Sequence, residues 1–384
     1  MKPAATVCER VKQQHSPFGP IAIVGPGAIG CLFAAFLARA DHEVWLLDHR
    51  ADRAKQLARL GIRLETGDGQ FVVSVRASAR PEELPAARLA IILVKAHDTE
   101  AAARATSKFL APDGCALSLQ NGLGNLEALS RALGEERVLG GTTAHGAYLL
   151  GVGHVRHAGS GPTIIGEQKP RGATPEPPPN PPPRVGRARE GASPGPSREL
   201  AKPIGRPRRV REIVRLFRAS GIEAEATDNL PQAIWNKLVM NCAVNPVAAI
   251  CRLRNGQLAQ NPWSLKLMQS AALEAAKVAA AQGILLSYPD PAERVKQVCE
   301  ATAPNINSML QDMLFGRRTE IEAINGAVAE LARRLGVETP VNEALAAAVR
   351  AIEQEMDRQV SPAGMAASEG DSARGRQVGP QDIA

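Results

Sequence analysis

One stretch near the start of the chain leaves few folds open to it. Ile21-Ala22-Ile23-Val24 is a short, wholly apolar run of the kind that forms a buried parallel strand, and Gly25-Pro26-Gly27-Ala28-Ile29-Gly30 follows without a gap. Residues 31–40 carry a helical pattern, and Val44-Trp45-Leu46-Leu47 reads as a second strand that ends in Asp48. Strand, GxGxxG, helix, strand and acid, with Asp48 lying 23 residues beyond Gly25, make up a dinucleotide fingerprint. Gly25 permits the tight turn, Gly27 lets the backbone approach a pyrophosphate, and Gly30 lets helix and strand pack closely. Ala28 and Ile29 complete the loop, and the phosphates lie at the N-terminus of the helix that follows. This places a Rossmann-type α/β domain at the front of the chain.

Asp48 bears on which dinucleotide binds. An acid there accepts the adenosine ribose hydroxyls and repels a 2′-phosphate, which favours NAD. His49, Arg50 and Arg53 follow at once and can grip that phosphate, which favours NADP. The local sequence points both ways.

Further along, Gly67-Asp68-Gly69 separates two alternating runs and reads as a hairpin. Residues 89–94 are a buried strand with Lys95 at its C-terminal end, where open α/β sheets place their ligands. A helix over 99–110 and a strand over 115–119 lead to Gln120-Asn121-Gly122-Leu123-Gly124-Asn125, again at a strand end, with Asn121 offering both a donor and an acceptor. A helix over 126–133, a strand over 137–141 and a loop through Thr142, Thr143 and His145 carry the sheet onward. His154 and His157 fit a β-hairpin with its turn at Ser160-Gly161-Pro162 and its return strand at 163–166. Surface or loop roles are expected for these histidines and for His145, since no carboxylate cluster accompanies them. A helix over 208–219 and an outer strand over 222–226 complete the domain.

From 230 onward the pattern is helical: 230–251, 264–282, 291–301, 307–315, 319–335 and 341–356. In the first of these, Lys237, Asn241 and Asn245 recur every four residues and share one face, while Leu238, Val239, Met240, Cys242 and Val244 cover the rest. An ammonium and two amides on an otherwise apolar helix either snorkel and cap their neighbours or serve a site. The organisation that follows is a polar extension over 1–18, the dinucleotide domain over 19–228, a helical domain over 229–358 and a polar tail over 359–384.

Composition removes several function classes. The formal charge of +7 invites a nucleic-acid reading, yet residues 169–211 hold eleven Lys or Arg against three acids, so the remainder is near neutral. That stretch also holds twelve of the 29 prolines, and the segment 169–206 is expected to be a disordered insertion. No stacking aromatics accompany its charge, so no nucleic-acid partner is expected. No apolar run approaches the ~18 residues of a membrane span, and the N-terminus lacks the apolar block of a signal peptide, so the expectation is a cytoplasmic protein with no membrane partner. The six cysteines are scattered without a CxxC pair, which indicates neither a disulfide framework nor a metal site.

Lys95 and Gln120-Asn121-Gly122 at strand ends, followed by Asn236-Lys237, Asn241 and Asn245-Pro246, form a constellation that resembles the ketopantoate reductase family. The runs Asn307-Ser308-Met309-Leu310-Gln311-Asp312, Arg317-Arg318-Thr319-Glu320-Ile321-Glu322 and Ile324-Asn325-Gly326 resemble its second signature. The likeness spans about 20–355 apart from the insertion. It implies a 6-phosphogluconate dehydrogenase C-terminal-like helical domain and a small-molecule 2-oxo acid substrate, 2-dehydropantoate, reduced by NADPH to (R)-pantoate for pantothenate biosynthesis. By the same resemblance Lys237 is the general acid and Glu320 holds the substrate hydroxyl and orients the site. Asn121, Asn241, Asn245 and Ser308 bind substrate. The expected cofactor contacts are Gly25, Gly27, Ala28, Ile29, Gly30, Asp48, His49, Arg50, Lys95 and Asn121, and a monomer or homodimer is expected. The roles are physically coherent, because hydride addition places negative charge on the ketone oxygen and a positioned ammonium that can donate a proton lowers that barrier. Burial lowers the pKa of such a lysine and a nearby carboxylate raises it.

This chain departs from the family pattern at Asp48, which keeps NAD open, and in the insertion. Two other functions compete: a reductase of another branched 2-oxo acid on the same fold, and a non-catalytic dinucleotide sensor, which has no use for the polar set of the helical half. Lys237 and Glu320, 83 positions apart, are expected to approach each other across a cleft.

Overall fold

Two successive patterns of hydrophobicity build two layers of structure. The computed structural model describes residues 18–168 and 208–360; the N-terminal extension up to 17, the Pro/Arg-rich segment and the tail beyond 360 lie outside the described residues. The first half runs β1 (Ile21–Val24), α1 (Ala28–Arg39), β2 (Val44–Leu47), α2 (Ala51–Leu60), β3 (Ile62–Thr66), β4 (Gly69–Val73), β5 (Arg76–Ser78) and β6 (Ala87–Ile92). It continues with α3 (Thr99–Thr106), β7 (Leu110–Ser118), α4 (Asn125–Leu133), β8 (Val138–Thr143), β9 (Gly146–Gly151), β10 (His154–Gly159), β11 (Thr163–Glu167), α5 (Arg208–Ala219) and β12 (Ala224–Ala226).

These strands form an eight-stranded sheet in the order β12-β11-β8-β7-β6-β1-β2-β5, parallel except where β11 meets β8. A parallel strand covered by helices on both faces must be apolar throughout, and β1 is buried at all four positions. Ile21 and Ile23 pack into one cluster with Leu32, Phe33, Leu37 and Phe217, while Ala22 and Val24 face the opposite cluster with Ala103 and Leu129. The strand order reverses beside β1, between β6 and β2, and the glycine loop leaves β1 at that crevice.

The expected hairpin at Gly67-Asp68-Gly69 is β3–β4, and it belongs to a second sheet ordered β4-β3-β10-β9. The strand of His154 and His157, β10, hairpins with β9 on its N-terminal side and not with 163–166. Residues 163–167 instead pair with β8 and β12 in the main sheet. The Ser160-Gly161-Pro162 turn therefore passes the chain from one sheet to the other. Neither flanking strand, HVRHAG or TIIGE, carries a clean alternation, so local pattern does not decide which edge a strand joins.

The second half is helical: α6 (Leu230–Cys251), α7 (Asn255–Gln260), α8 (Pro262–Ala281), α9 (Pro291–Ala301), α10 (Ser308–Leu314), a π-helical turn (Glu322–Gly326), α11 (Ala327–Leu335) and α12 (Pro340–Val360). Pro sits in the first turn of α6, α8 and α9, where its missing N–H is no loss, and Asn229, Asn261 and Asp290 cap those three helices. Helices α2 and α7 were not foreseen, and the single helix expected over 319–335 is the π turn followed by α11. Phe18, placed by sequence in the polar extension, is buried in the main core. Around α6 the helices α8, α10 and α12 bury Leu238, Val239, Cys242 and Val247 among Met268, Leu310 and Val349. No helix among the described residues is long and apolar enough to cross a membrane.

Candidate active site

The glycine loop has the geometry its sequence calls for. Gly25 has φ +93°, and a Cβ there would stand 2.6 Å from the backbone N of Val94; a Cβ on Gly30 would stand 2.3 Å from the Gly25 carbonyl oxygen. At Gly27, the N-cap of α1, a Cβ would meet no atom within 4 Å. The chain thus closes tightly on both sides of one open backbone position at a helix N-terminus, which is the cradle a pyrophosphate needs. The residues present fit a dinucleotide.

At the end of β2, Asp48 is fully buried, and both of its carboxylate oxygens are taken. Arg53 of α2 donates from Nε to Oδ2 and from Nη2 to Oδ1 at 2.9 Å, and the Arg50 N–H donates to Oδ1 at 3.0 Å. The charge of Asp48 is therefore compensated from within. The side chains of His49 and Arg50, 76% and 56% exposed, are what this corner presents outward, with Arg50 also paired to Asp52.

The other candidates converge where the two halves meet. Lys95, just beyond β6, reaches Asp312 of α10 at 2.5 Å and Glu320 at 3.5 Å. Burial opposes its charge, but the Glu320 and Asp312 carboxylates outweigh that and hold its pKa above the usual lysine range. Glu320 is itself buried, and it accepts from the Ala96 N–H at 3.1 Å and from Asn121 Nδ2 at 3.2 Å. The following residues dock on the same loop, with the Leu123 N–H donating to the Ala323 carbonyl at 2.9 Å. Gly122, at φ +84°, is required there, since a Cβ would stand 2.4 Å from that carbonyl oxygen.

Lys237 extends from α6 toward the first half, and its Nζ donates to the Thr143 carbonyl at the end of β8 at 2.8 Å. Burial lowers its pKa to about 8, and Glu320 resists that fall. The expected approach of Lys237 and Glu320 is met in field but not in contact. Glu320 is engaged by Lys95, Asn121 and Ala96, and Lys237 by Thr143. Asn241, Asn245 and Ser308 share this region, on α6 and at the start of α10. None of their side chains is hydrogen-bonded within the described residues, although Asn245 is buried. A buried amide is normally paired, so Asn245, together with the half-buried Asn241 and Ser308, has hydrogen-bonding capacity left for a ligand.

Sequence reasoning missed Asp312, Thr143 and the inward pairing of Asp48. Asp312 stands in the quoted run Asn307 to Asp312 without a distinguishing signal, and Thr143 acts through its carbonyl, which no side-chain pattern reveals. The histidines also differ from expectation. His145 is buried, its Nδ1 lies 3.0 Å from His157 Nε2, and burial lowers its pKa to about 4. His154 pairs with Glu65. Among the described residues no group of three or more His, Cys, Asp or Glu could hold a metal ion.

A cleft of about 350 Å³ opens beside Glu320 at the seam, lined by Ala96, Thr99, Leu123, Asn125 and Thr319. A larger one, about 550 Å³, lies between α11 and α12 on the outer face and contains none of the candidate residues.

Comparison with known proteins identifies the family and the fold. Residues 21–170 match the family model described as ketopantoate reductase PanE/ApbA, and residues 229–353 match its C-terminal counterpart. Among curated relatives, the 2-dehydropantoate 2-reductase of Archaeoglobus fulgidus is 34% identical over 87% of this chain and 97% of its own length. That of Halobacterium salinarum is 33% identical over 86% and 97%. Among solved structures, the PanE/ApbA family ketopantoate reductase from Ralstonia eutropha superposes with a TM-score of 0.72 at 31% identity, covering 88% of this chain and 99% of that one. A D-mandelate dehydrogenase solved with NADH and anilino(oxo)acetate superposes with a TM-score of 0.74 at 24% identity, over 88% and 99% of the two chains, a likeness of fold alone.

Proposed function

This chain belongs to the ketopantoate reductase family, and from that premise we propose that it reduces 2-dehydropantoate to (R)-pantoate with NADPH, Lys237 serving as the proton donor. The observation that carries the reading is the placement of Lys237: an ammonium on a half-buried helix face, held at the seam by the Thr143 carbonyl at 2.8 Å, where burial lowers its pKa to about 8. A donor tuned close to neutral pH gives up its proton readily yet remains charged in the resting enzyme. The bound dinucleotide supplies the hydride. Lys237 then meets the charge that develops on the ketone oxygen and transfers its proton there, while Asn241, Asn245 and Ser308 use their free hydrogen-bonding capacity on the substrate carboxylate and hydroxyl. Glu320, fixed by Ala96 and Asn121, keeps the local field favourable to the charged lysine. Steady-state assays test the substrate: ketopantoate is expected to exceed other branched 2-oxo acids in kcat/KM, and equal rates across that series would favour a reductase of broader 2-oxo acid scope.

The preference for NADPH rests on the corner at Asp48. Its carboxylate is satisfied by Arg53 and the Arg50 N–H, so it neither offers an oxygen to the ribose nor presents an unpaired charge to a 2′-phosphate. The exposed His49 and Arg50 are then the groups that meet the phosphate. Charge-assisted hydrogen bonds of this kind are worth roughly 1.5–3 kcal/mol. Arg50→Ala is therefore expected to reduce the NADPH:NADH ratio of kcat/KM by about tenfold or more. A ratio unmoved by that change, or a wild-type preference for NADH, would return Asp48 to the ribose.

A further inference from the structure

Helix α6 carries Lys237, Asn241 and Asn245, and Pro246 lies in its interior. A proline there has no N–H, so the carbonyl four residues back, that of Cys242, loses its ordinary helical donor, and the ring pushes against it and bends the helix. That carbonyl is buried. The donor it receives comes from outside the helix: Asn325 Nδ2 lies 2.9 Å from the Cys242 carbonyl oxygen.

Asn325 is fully buried and sits in the π-helical turn five residues after Glu320. The second hydrogen of its Nδ2 goes to Asn342 Oδ1 at 2.9 Å. Asn342 is held in turn, its Nδ2 donating to Glu274 Oε2 at 2.8 Å and to the Ala271 carbonyl at 3.0 Å. Glu274 also accepts the N–H groups of Val341 and Asn342 in the first turn of α12. The orientation of Asn325 is forced by this set, because both atoms facing its amide nitrogen are acceptors. Its Oδ1, by contrast, has no partner among the described residues. A buried amide with one end fully used and the other unused is held there for its donor end.

We propose that Asn325 is a positioning residue for the reaction. By donating to the Cys242 carbonyl that Pro246 leaves open, it sets the bend of α6 and ties the Lys237 and Asn241 half of that helix to the segment carrying Glu320. The proposal rests on the reading of Lys237 as proton donor. Without the tie, the two halves of α6 hinge at residues 242–246, and the donor and the amides no longer keep their spacing around one substrate. The dinucleotide corner, in the other half of the molecule, is untouched.

A thermodynamic cycle tests this in the full-length protein. Asn325→Ala is expected to lower kcat about tenfold and leave KM for NADPH within about twofold. Pro246→Ala restores a backbone N–H for the Cys242 carbonyl, so the same Asn325→Ala change made in that background is expected to alter kcat less than about twofold. Equal losses in both backgrounds overturn the proposal, as does full activity of Asn325→Ala alone. Should Asn325→Ala yield too little folded protein, the double variant decides. A kcat near that of Pro246→Ala sustains the proposal, whereas a further tenfold fall, or failure of the double variant to fold, shows that Asn325 serves the core in some other way. Failure of the underlying reading is seen separately. If Lys237→Ala keeps its turnover, Lys237 is not the donor, while non-additive urea midpoints for the 246 and 325 variants still report the shared carbonyl.

Discussion

Lys237→Ala is expected to lower kcat for ketopantoate reduction by about 10²- to 10⁴-fold, the range over which a positioned general acid usually contributes. KM for NADPH should change little, since no dinucleotide candidate lies on α6. The pH profile carries the sign of the role. The donor must be charged, and burial places its pKa at about 8. Reductive kcat is therefore level below that value and falls about tenfold per pH unit above it, while oxidation of pantoate, which needs the neutral amine, rises over the same interval. Steady-state rates in both directions between pH 6 and 10 measure this. An alkaline limb in the wild type that persists unchanged in the alanine variant would assign the proton to another group.

Glu320→Gln is the second large effect, expected at about 10²-fold in kcat. The substitution keeps the size of the side chain and can keep one acceptor for Ala96 or Asn121, but it removes the negative charge that resists the fall of the Lys237 pKa. The alkaline limb should therefore move to lower pH as the rate falls. Lys95 retains Asp312 at 2.5 Å, so its charge is not stranded and the protein should still fold. A rate loss with the limb unmoved would reduce Glu320 to a substrate contact or a hinge pin without electrostatic influence on the lysine.

The glycine loop, β1, β2 and the boundaries of α5, α6 and α9 were legible in the sequence because each depends on local periodicity and on Gly or Pro with defined tasks. The assignment of 163–167 to the main sheet was not legible, because a strand's choice of partner is settled by neighbours far along the chain. The residue types at the site were legible as a polar stripe, yet their pairing was not. Lys237 binds a carbonyl, and the carboxylate foreseen beside it prefers Lys95, Asn121 and a backbone N–H. Asp48 shows the same limit. Its position relative to Gly25 marked a cofactor corner, but only the folded chain shows Arg53 turning the carboxylate inward.

The bonds that close the seam also bear on how the protein comes into being. Lys237 to Thr143 joins residues 94 apart in the chain, Asn121 to Glu320 joins residues 199 apart, and Lys95 reaches Asp312 and Glu320 over 217 and 225 positions. Contacts between such distant residues carry the entropic cost of closing the intervening chain. The nucleotide fold alone therefore holds the cradle but neither the proposed donor Lys237 nor Glu320, both of which the helical half supplies.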